Sequence, residues 1–131
     1  MNLTLLAQTP EDLPALAALL QDATLRAPDI AFDARGHRLV LLVNRYRWEA
    51  AAPSRSRAAM RIETTTRVQQ QHWPQGADAV LNLLTIEWAE PHLTLSFSDG
   101  ITLRAHCEAL DLILEDLGDP WTTTRLPKHQ L

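Results

Sequence analysis

The sequence predicts an α+β fold in which an antiparallel curved sheet or partly open barrel of about six to seven strands carries an N-terminal helix and a C-terminal capping helix. Residues 93–107 alternate apolar and polar side chains with one interruption, which is typical of a β-hairpin. Most of the remaining chain also alternates with period two, and only its ends show helical spacing. This order of strands followed by a helix is similar to the pleckstrin-homology-type barrel, a likeness of fold that carries no function.

The N-terminal helix is predicted to begin at Thr9-Pro10-Glu11-Asp12. Threonine is a good N-cap, proline is tolerated in the first turn, and acidic residues favour the positive end of the helix dipole. Leu13, Leu16 and Leu20 then fall on one face. This spacing predicts a helix that ends near Gln21 and packs through its leucines.

The longest predicted strand runs from Arg38 to Trp48. Leu39, Leu41 and Val43 occupy one face, and the other face is apolar as well, so the first half of the strand is expected to be covered on both sides. Arg45 and Arg47 follow on the first of these faces, and we expect them to mark the point at which that face emerges into solvent.

A second strand, over residues 57–68, alternates cleanly. Ala58, Met60 and Ile62 are expected to face the core, and the arginines of this strand are expected to face solvent. A polar loop over residues 69–76 separates it from a further strand between Val80 and Trp88.

The final hairpin and helix are predicted from side-chain parity and spacing. Directly opposed strand residues share a face, so Phe97 must oppose Ile101 across a three-residue loop in which Gly100 is left-handed. A helix is expected to follow from Glu108 to Gly118. Its apolar stripe would consist of Leu110, Ile113, Leu114 and Leu117.

The composition bounds the class of protein. The chain has 131 residues, of which 46% are apolar, and this suits a single domain over residues 1–131. The single cysteine excludes an internal disulfide. The N-terminus shows neither a signal peptide nor a long apolar run, so we expect a cytoplasmic protein with no membrane span.

The charges are unevenly distributed in a chain whose net charge is −4. Residues 34–76 hold eight arginines and two glutamates, whereas residues 77–119 hold nine carboxylates and one arginine. An acidic chain is a poor match for nucleic acid, whose phosphates dominate binding. Nucleic acid is therefore not expected as a partner.

Several sequence blocks resemble a bacterial family catalogued as domain of unknown function 2948. The blocks are Leu20-Gln21-Asp22-Ala23, Asn44-Arg45-Tyr46-Arg47-Trp48-Glu49, Val80-Leu81-Asn82-Leu83-Leu84, Glu108-Ala109, Asp116-Leu117-Gly118, and Trp121 with Pro127 and His129. The resemblance spans nearly the whole chain, and its most specific block runs from Asn44 to Glu49. It implies no activity, substrate or cofactor, so no catalytic residue follows from it.

The best candidate for function is a set of arginines that strand alternation places on one exposed sheet face. Guanidinium groups bind carboxylates and phosphates through paired hydrogen bonds. The leading hypothesis is a non-enzymatic binding or adaptor module that engages an acidic protein or a phosphorylated ligand, with homo-oligomerisation as a further option. The alternative is that glutamates of neighbouring strands pair with these arginines. The set comprises Arg45, Arg47, Arg57, Arg61 and Arg67.

Asn44 and Asn82 are predicted at inward, buried positions of apolar strands. Buried amides must be hydrogen-bonded, so each is expected to hold a bulge, a loop or a neighbouring strand. The alternative function is a small-molecule enzyme with a polar site around these asparagines.

Other reactive side chains indicate no site. Cys107 and His106 are adjacent on a strand and must face opposite sides, which predicts a buried, inert thiol. The five histidines lack the spacing of a metal site. The acids of the C-terminal helix suit a solvated face. The sequence therefore predicts no metal and no cofactor.

Overall fold

The computed structural model describes residues 3–123, which form a ten-stranded antiparallel sheet and one α-helix. The helix, α1, spans Leu13–Leu20 and follows a 3-10 turn at Pro10–Asp12. The strands are β1 (Thr4–Ala7), β2 (Thr24–Arg26), β3 (Ile30–Asp33), β4 (Arg38–Tyr46), β5 (Ser54–Glu63), β6 (Thr65–Gln71), β7 (Val80–Ala89), β8 (His92–Phe97), β9 (Thr102–Cys107) and β10 (Leu112–Thr122). The predicted α+β class is confirmed.

The strands lie in the order β1-β10-β5-β4-β2-β7-β8-β9-β6, and β3 pairs with β4 beside β2. β5 and β6 are consecutive in sequence but belong to different halves of the sheet, because the chain turns at Thr64, whose φ is 58°. The sheet therefore folds over a core and is not closed into a barrel. The predicted count of about six to seven strands and the pleckstrin-homology-like barrel are wrong.

The core lies between the two halves of the folded sheet. Leu13, Leu16 and Leu20 of α1 are buried in it, together with alternating residues of the strands, and α1 packs against β1, β4 and β7. The predicted N-terminal helix and its leucine face are confirmed. We call the side of the sheet that faces this core the inner face, and the opposite side the outer face.

The predicted C-terminal capping helix is wrong, because Leu112–Thr122 form β10. Leu112, Leu114 and Asp116 are buried in alternation, which is the period of a strand. β10 pairs with β1 on one side and with β5 on the other, and this hydrogen bonding overrides the local helical spacing. Gly118, with a φ of 69°, lies at a bulge in β10 and does not end a helix.

The β8–β9 hairpin has the predicted geometry. The Phe97 amide donates to the Ile101 carbonyl at 2.8 Å across the loop Ser98–Gly100. Gly100 has a φ of 72°, as expected for the left-handed position of a three-residue loop. Side-chain parity therefore predicts the register of the β8–β9 hairpin correctly.

Candidate functional site

Arg45, the first residue of the predicted arginine set, is fully buried with 0% of its surface exposed, so its predicted exposure is wrong. It forms two parallel hydrogen bonds with the Asp116 carboxylate. The Nε to Oδ1 distance and the Nη2 to Oδ2 distance are both 2.8 Å. Such a two-bond arrangement is the strongest pairing available to a guanidinium group.

The Arg45 side chain reaches Asp116 across an intervening strand. Arg45 lies on β4 opposite Ser56 of β5, and Asp116 lies on β10 opposite Ala58 of β5. Ser56 and Ala58 are buried and small, so they leave room on the inner face for the long arginine side chain. These two positions on β5 explain why a charged residue fits inside the sheet.

Glu49 supplies a second carboxylate to the same guanidinium group. Its Oε1 and Oε2 atoms lie 2.9 Å and 2.6 Å from Nη1 and Nη2 of Arg45. Burial removes water from Arg45 and would by itself lower its pKa, but the hydrogen bonds with Asp116 and Glu49 outweigh this effect and raise the pKa. In return, the hydrogen bond from Arg45 lowers the pKa of Glu49.

The buried ion pair also connects distant segments of the chain. The Asp116 carboxylate accepts a hydrogen bond from the Leu3 amide at 3.2 Å, and the Asp116 amide donates to the Leu3 carbonyl at 2.8 Å. Beside Glu49, the indole nitrogen of Trp48 donates to the carbonyl of Gln21 at 3.1 Å. This cluster therefore has a structural role, and it removes Arg45 from the candidate ligand-binding residues.

The other four predicted arginines do not share one face. Arg47 donates to the Ser54 hydroxyl at 3.1 Å and is half-buried. Arg57 and Arg61 lie on the outer face of β5, where they were expected. Arg67 is exposed on β6, in the other half of the sheet. The turn at Thr64 separates it from the β5 arginines.

Arg57 and Arg61 belong to an outer surface that strand register assembles from four strands. Leu6, Ile113, Arg61 and Val40 are successive neighbours across β1, β10, β5 and β4. A parallel row carries Leu117 and Arg57, and another carries Trp121 and Arg55. We call this surface the arginine face, and it consists of Leu6, Val40, Leu42, Arg55, Arg57, Ala59, Arg61, Ile113, Glu115, Leu117 and Trp121.

The arginine face exposes apolar side chains beside its charges. Leu6, Leu117 and Trp121 are exposed over 53%, 37% and 43% of their surface. The one α-helix within residues 3–123 packs through core leucines on the inner face, so it does not cover this surface.

Positive charge exceeds negative charge at the centre of the arginine face. Arg61 has no ion pair among residues 3–123, and Arg57 approaches Asp29 at 3.6 Å. Arg55 donates to the Asn44 carbonyl at 3.2 Å, and burial lowers the pKa of Arg55. Glu115 is the one carboxylate that strand register places between the Arg57 and Arg61 rows.

Asn44 and Asn82 lie in one row with Thr24 between them, because Thr24 of β2 is the direct partner of both. Asn82 is exposed, and Asn44 is half-buried on the outer face opposite Arg57, so the predicted inward, buried position is wrong for both residues. The Asn44 side-chain oxygen accepts a hydrogen bond from Arg57 at 3.3 Å. A cavity of about 270 Å³ opens beside this row, lined by Thr24, Leu25, Arg26, Asp29, Asn44, Arg57 and Val80.

Comparison with known families matches residues 3–129 to the family described as Protein of unknown function (DUF2948). The chain belongs to the DUF2948 family. The resemblance seen in the sequence blocks is confirmed, although Pro127 and His129 lie outside the described residues. Neither the curated proteins nor the solved structures include a match. Within residues 3–123 of this DUF2948 chain, no helix has the length and apolar character that a membrane span requires.

The structure supports the prediction for Cys107 and adds a contact between two histidines that the sequence did not predict. Cys107 is buried, 3.6 Å from the Thr65 hydroxyl, while the half-buried His106 next to it faces the outer side, so the predicted parity is confirmed. Burial raises the pKa of the Cys107 thiol. His106 pairs across strands with His92, with ring centroids 5.4 Å apart, a proximity that sequence spacing did not show. No group of three potential metal ligands occurs in the described part of this DUF2948 chain.

Proposed function

We propose that this DUF2948 protein is a non-enzymatic binding module whose arginine face docks an acidic segment of a partner protein. The observation that carries this proposal is the combination of Arg57 and Arg61 with exposed apolar residues on a sheet face that no other element of residues 3–123 covers. Arginine and tryptophan are enriched at protein interfaces, whereas lysine and the acidic residues are depleted there.

The apolar residues of the arginine face supply the non-polar contact that such docking needs. Leu6 on β1 is the direct cross-strand partner of Ile113 on β10, so these two residues form an apolar patch, and Leu117 adds an exposed apolar side chain beyond Glu115 on the same face of β10. Contiguous apolar patches beside charged residues mark interaction sites on soluble proteins. Burial of this patch by a partner would contribute free energy that a purely charged face lacks.

Charge complementarity favours an acidic partner. Arg61 has no ion pair within residues 3–123, and the Arg57 side chain, which contacts Asn44 and Asp29, remains 42% exposed. A carboxylate of the partner would make charge-assisted hydrogen bonds with these groups. In a symmetric dimer formed through this face, the twofold axis would place the arginines of the two copies near each other. The repulsion between these like charges disfavours a second copy as the partner.

The cavity beside Arg57 provides a place for an anchoring side chain. Its volume of about 270 Å³ is close to the lower end of ordinary ligand sites. Its carboxylate, Asp29, lies 3.6 Å from Arg57, and the remaining polar lining residues, Thr24, Arg26 and Asn44, offer further hydrogen-bonding groups to a partner side chain. We therefore favour docking over the alternative of a small-molecule enzyme centred on Asn44 and Asn82.

The proposal is tested by selecting binders from a random peptide display library on the folded protein. We expect the selected peptides to be rich in Asp and Glu with one or two apolar anchors, and to perturb the backbone amide resonances of β5, β10 and β1. The double variant with Arg57→Gln and Arg61→Gln should no longer select these acidic peptides. The control variant with Arg67→Gln and Arg104→Gln, in the other half of the sheet, should still select them.

Several outcomes would overturn the proposal. Peptides without acidic residues, or acidic peptides that perturb only β8 and β9, would place recognition elsewhere. A stable wild-type dimer that the Arg57 and Arg61 substitutions dissociate would assign the face to a second copy of the chain. Light scattering on the same samples distinguishes this result.

A further inference from the structure

The outer face of the half-sheet formed by β7, β8, β9 and β6 carries a second group of cationic side chains. His92, His106 and Arg67 are successive cross-strand neighbours on β8, β9 and β6. Arg104 lies two residues from His106 on β9 and therefore projects from the same side. The four side chains come from three adjacent strands, and neighbouring strands lie about 5 Å apart.

A bulge in β6 brings Arg67 into this group. Thr65 opposes Cys107 on the inner face, and the register shifts before Arg67, which then opposes His106 on the outer face. In a regular strand without this bulge, position 67 would lie on the same inner face as Thr65, two residues before it. Bulges that redirect a side chain in this way are frequent next to functional sites.

A polar groove of about 340 Å³ continues from this group along the same face, and Arg104 lines it. Its other lining residues are Gln69, Gln70, Gln71, Thr94 and Thr102. The Gln69 side-chain oxygen accepts hydrogen bonds from Nε and Nη2 of Arg104 at 3.2 Å and 2.7 Å. This contact fixes the guanidinium group and leaves its Nη1 end for another acceptor.

The balance of charge on this face is positive. Arg67 and Arg104 have no ion pair among residues 3–123. Glu87 lies on the same face, but it is on β7, two strands away from Arg104. Glu90 and Glu108 lie beyond the ends of β7 and β9. Arg67 and Arg104 outnumber Glu87, the one carboxylate that the four strands of this face carry, and such an excess of positive charge suits an anion site.

From this geometry we propose that Arg67, Arg104, His92 and His106 bind the phosphoryl group of a small phosphate monoester whose hydroxyl-rich body lies in the adjoining groove. The arginines supply charge-assisted hydrogen bonds to the phosphoryl oxygens. The hydroxyl and amide groups of Thr94, Thr102 and Gln71 are donors and acceptors suited to hydroxyl groups of the ligand. This site is separate from the arginine face and does not depend on the function proposed for it.

The histidines make binding dependent on pH. The pKa of His92 lies below its ordinary value of 6.5. The main cause is loss of water around the imidazole, and the neighbouring Arg104, His106 and Arg67 lower the pKa further. A bound dianion would reverse the repulsion and raise this pKa again. By linkage, anion binding must strengthen as the pH falls and the His92 imidazole becomes protonated.

Inorganic sulfate tests the phosphoryl part of the site, because it remains a dianion while His92 titrates. We expect sulfate to raise the pKa of His92 in an NMR titration, and to bind at least about tenfold more tightly near pH 5.5 than near pH 8. Arg67→Gln with Arg104→Gln should weaken sulfate binding by about tenfold or more. The control Arg57→Gln with Arg61→Gln should leave sulfate binding unchanged.

Glucose 6-phosphate tests the groove. It should bind about tenfold more tightly than sulfate, and Thr102→Val should reduce that advantage while leaving sulfate binding intact. Equal affinity for the two probes would overturn the assignment of the groove. An unperturbed His92 pKa, or sulfate binding that survives loss of both arginines, would overturn the phosphoryl site. Arg67 and Arg104 are exposed, so the melting midpoint of the variant should match the wild type.

Discussion

The guanidinium group of Arg45 and the carboxylate of Asp116 form a fully buried ion pair that spans β5, with Nε and Oδ1 2.8 Å apart. The two residues are separated by 71 positions in the sequence. Their pairing fixes β4 against β10 over the small residues of β5. Because a buried charge without its partner is strongly unfavourable, this contact has direct consequences for stability.

Arg45→Gln should destabilise the protein by about 3–5 kcal/mol, because it leaves the Asp116 carboxylate buried without its cation. Arg61→Gln is the matched control, since it makes the same chemical change at a half-buried position with no ion pair in the described chain, and it should change stability by about 0.5 kcal/mol or less. Urea unfolding of both variants measures the difference. Equal midpoints would show that Arg45 is not buried as described.

Leu114→Ala should lower the free energy of unfolding by about 2–5 kcal/mol, because Leu114 is fully buried on β10. Leu117→Ala should cost about 0.5 kcal/mol or less, since Leu117 is 37% exposed on the outer face. A C-terminal helix would bury both leucines on one stripe. Similar large losses for the two variants in thermal melting would therefore restore the helix and contradict the strand.

Cys107 should react slowly with a thiol reagent in the native protein and rapidly after denaturation. The thiol is buried, and burial raises its pKa, so the reactive thiolate is scarce in the folded state. Absorbance during titration with the reagent follows the reaction. Fast modification of the folded chain at neutral pH would contradict this burial.

Glu49 should make stability depend on pH in the acidic range. Its pKa is held below the ordinary value of 4.5 by the hydrogen bond from Arg45. A carboxylate with a lowered folded-state pKa stabilises the protein above its unfolded pKa, and this contribution disappears as the pH falls through the folded value. The stability difference between wild type and Glu49→Gln should therefore be largest near neutral pH and shrink below about pH 4.5. A difference that stays constant from neutral to acidic pH would exclude the ion pair in solution.

The sequence predicts those parts of the fold in which local and long-range preferences agree. The β8–β9 hairpin is correct because side-chain parity allows one loop length between Phe97 and Ile101. The segment Leu110 to Leu117 is ambiguous, because its apolar residues fit both a helical stripe and strand alternation. Only pairing with β1 and β5, which are distant in sequence, resolves it.

The error at Arg45 follows from the error in β10. Parity places Arg45 on the same face as Leu39, Leu41 and Val43, so the sequence does contain the signal for burial. A buried arginine needs a buried carboxylate, and the helical assignment placed Asp116 on a solvated face. The arginine face was likewise only partly predictable, because Leu6 and Leu117 join Arg57 and Arg61 through pairing of β10 with β1 and β5.

The docking proposed for the arginine face is tested most directly by the salt dependence of binding to one acidic peptide selected on the wild-type protein. The double variant with Arg57→Gln and Arg61→Gln should bind this peptide about tenfold or more weakly than the wild type. Its affinity should also decrease less steeply with salt concentration, because fewer ion pairs form at the interface. The melting midpoint of the same preparation should remain within error of the wild type. A variant that melts early but binds the peptide with unchanged affinity and salt dependence would show that these arginines serve the fold and not a partner.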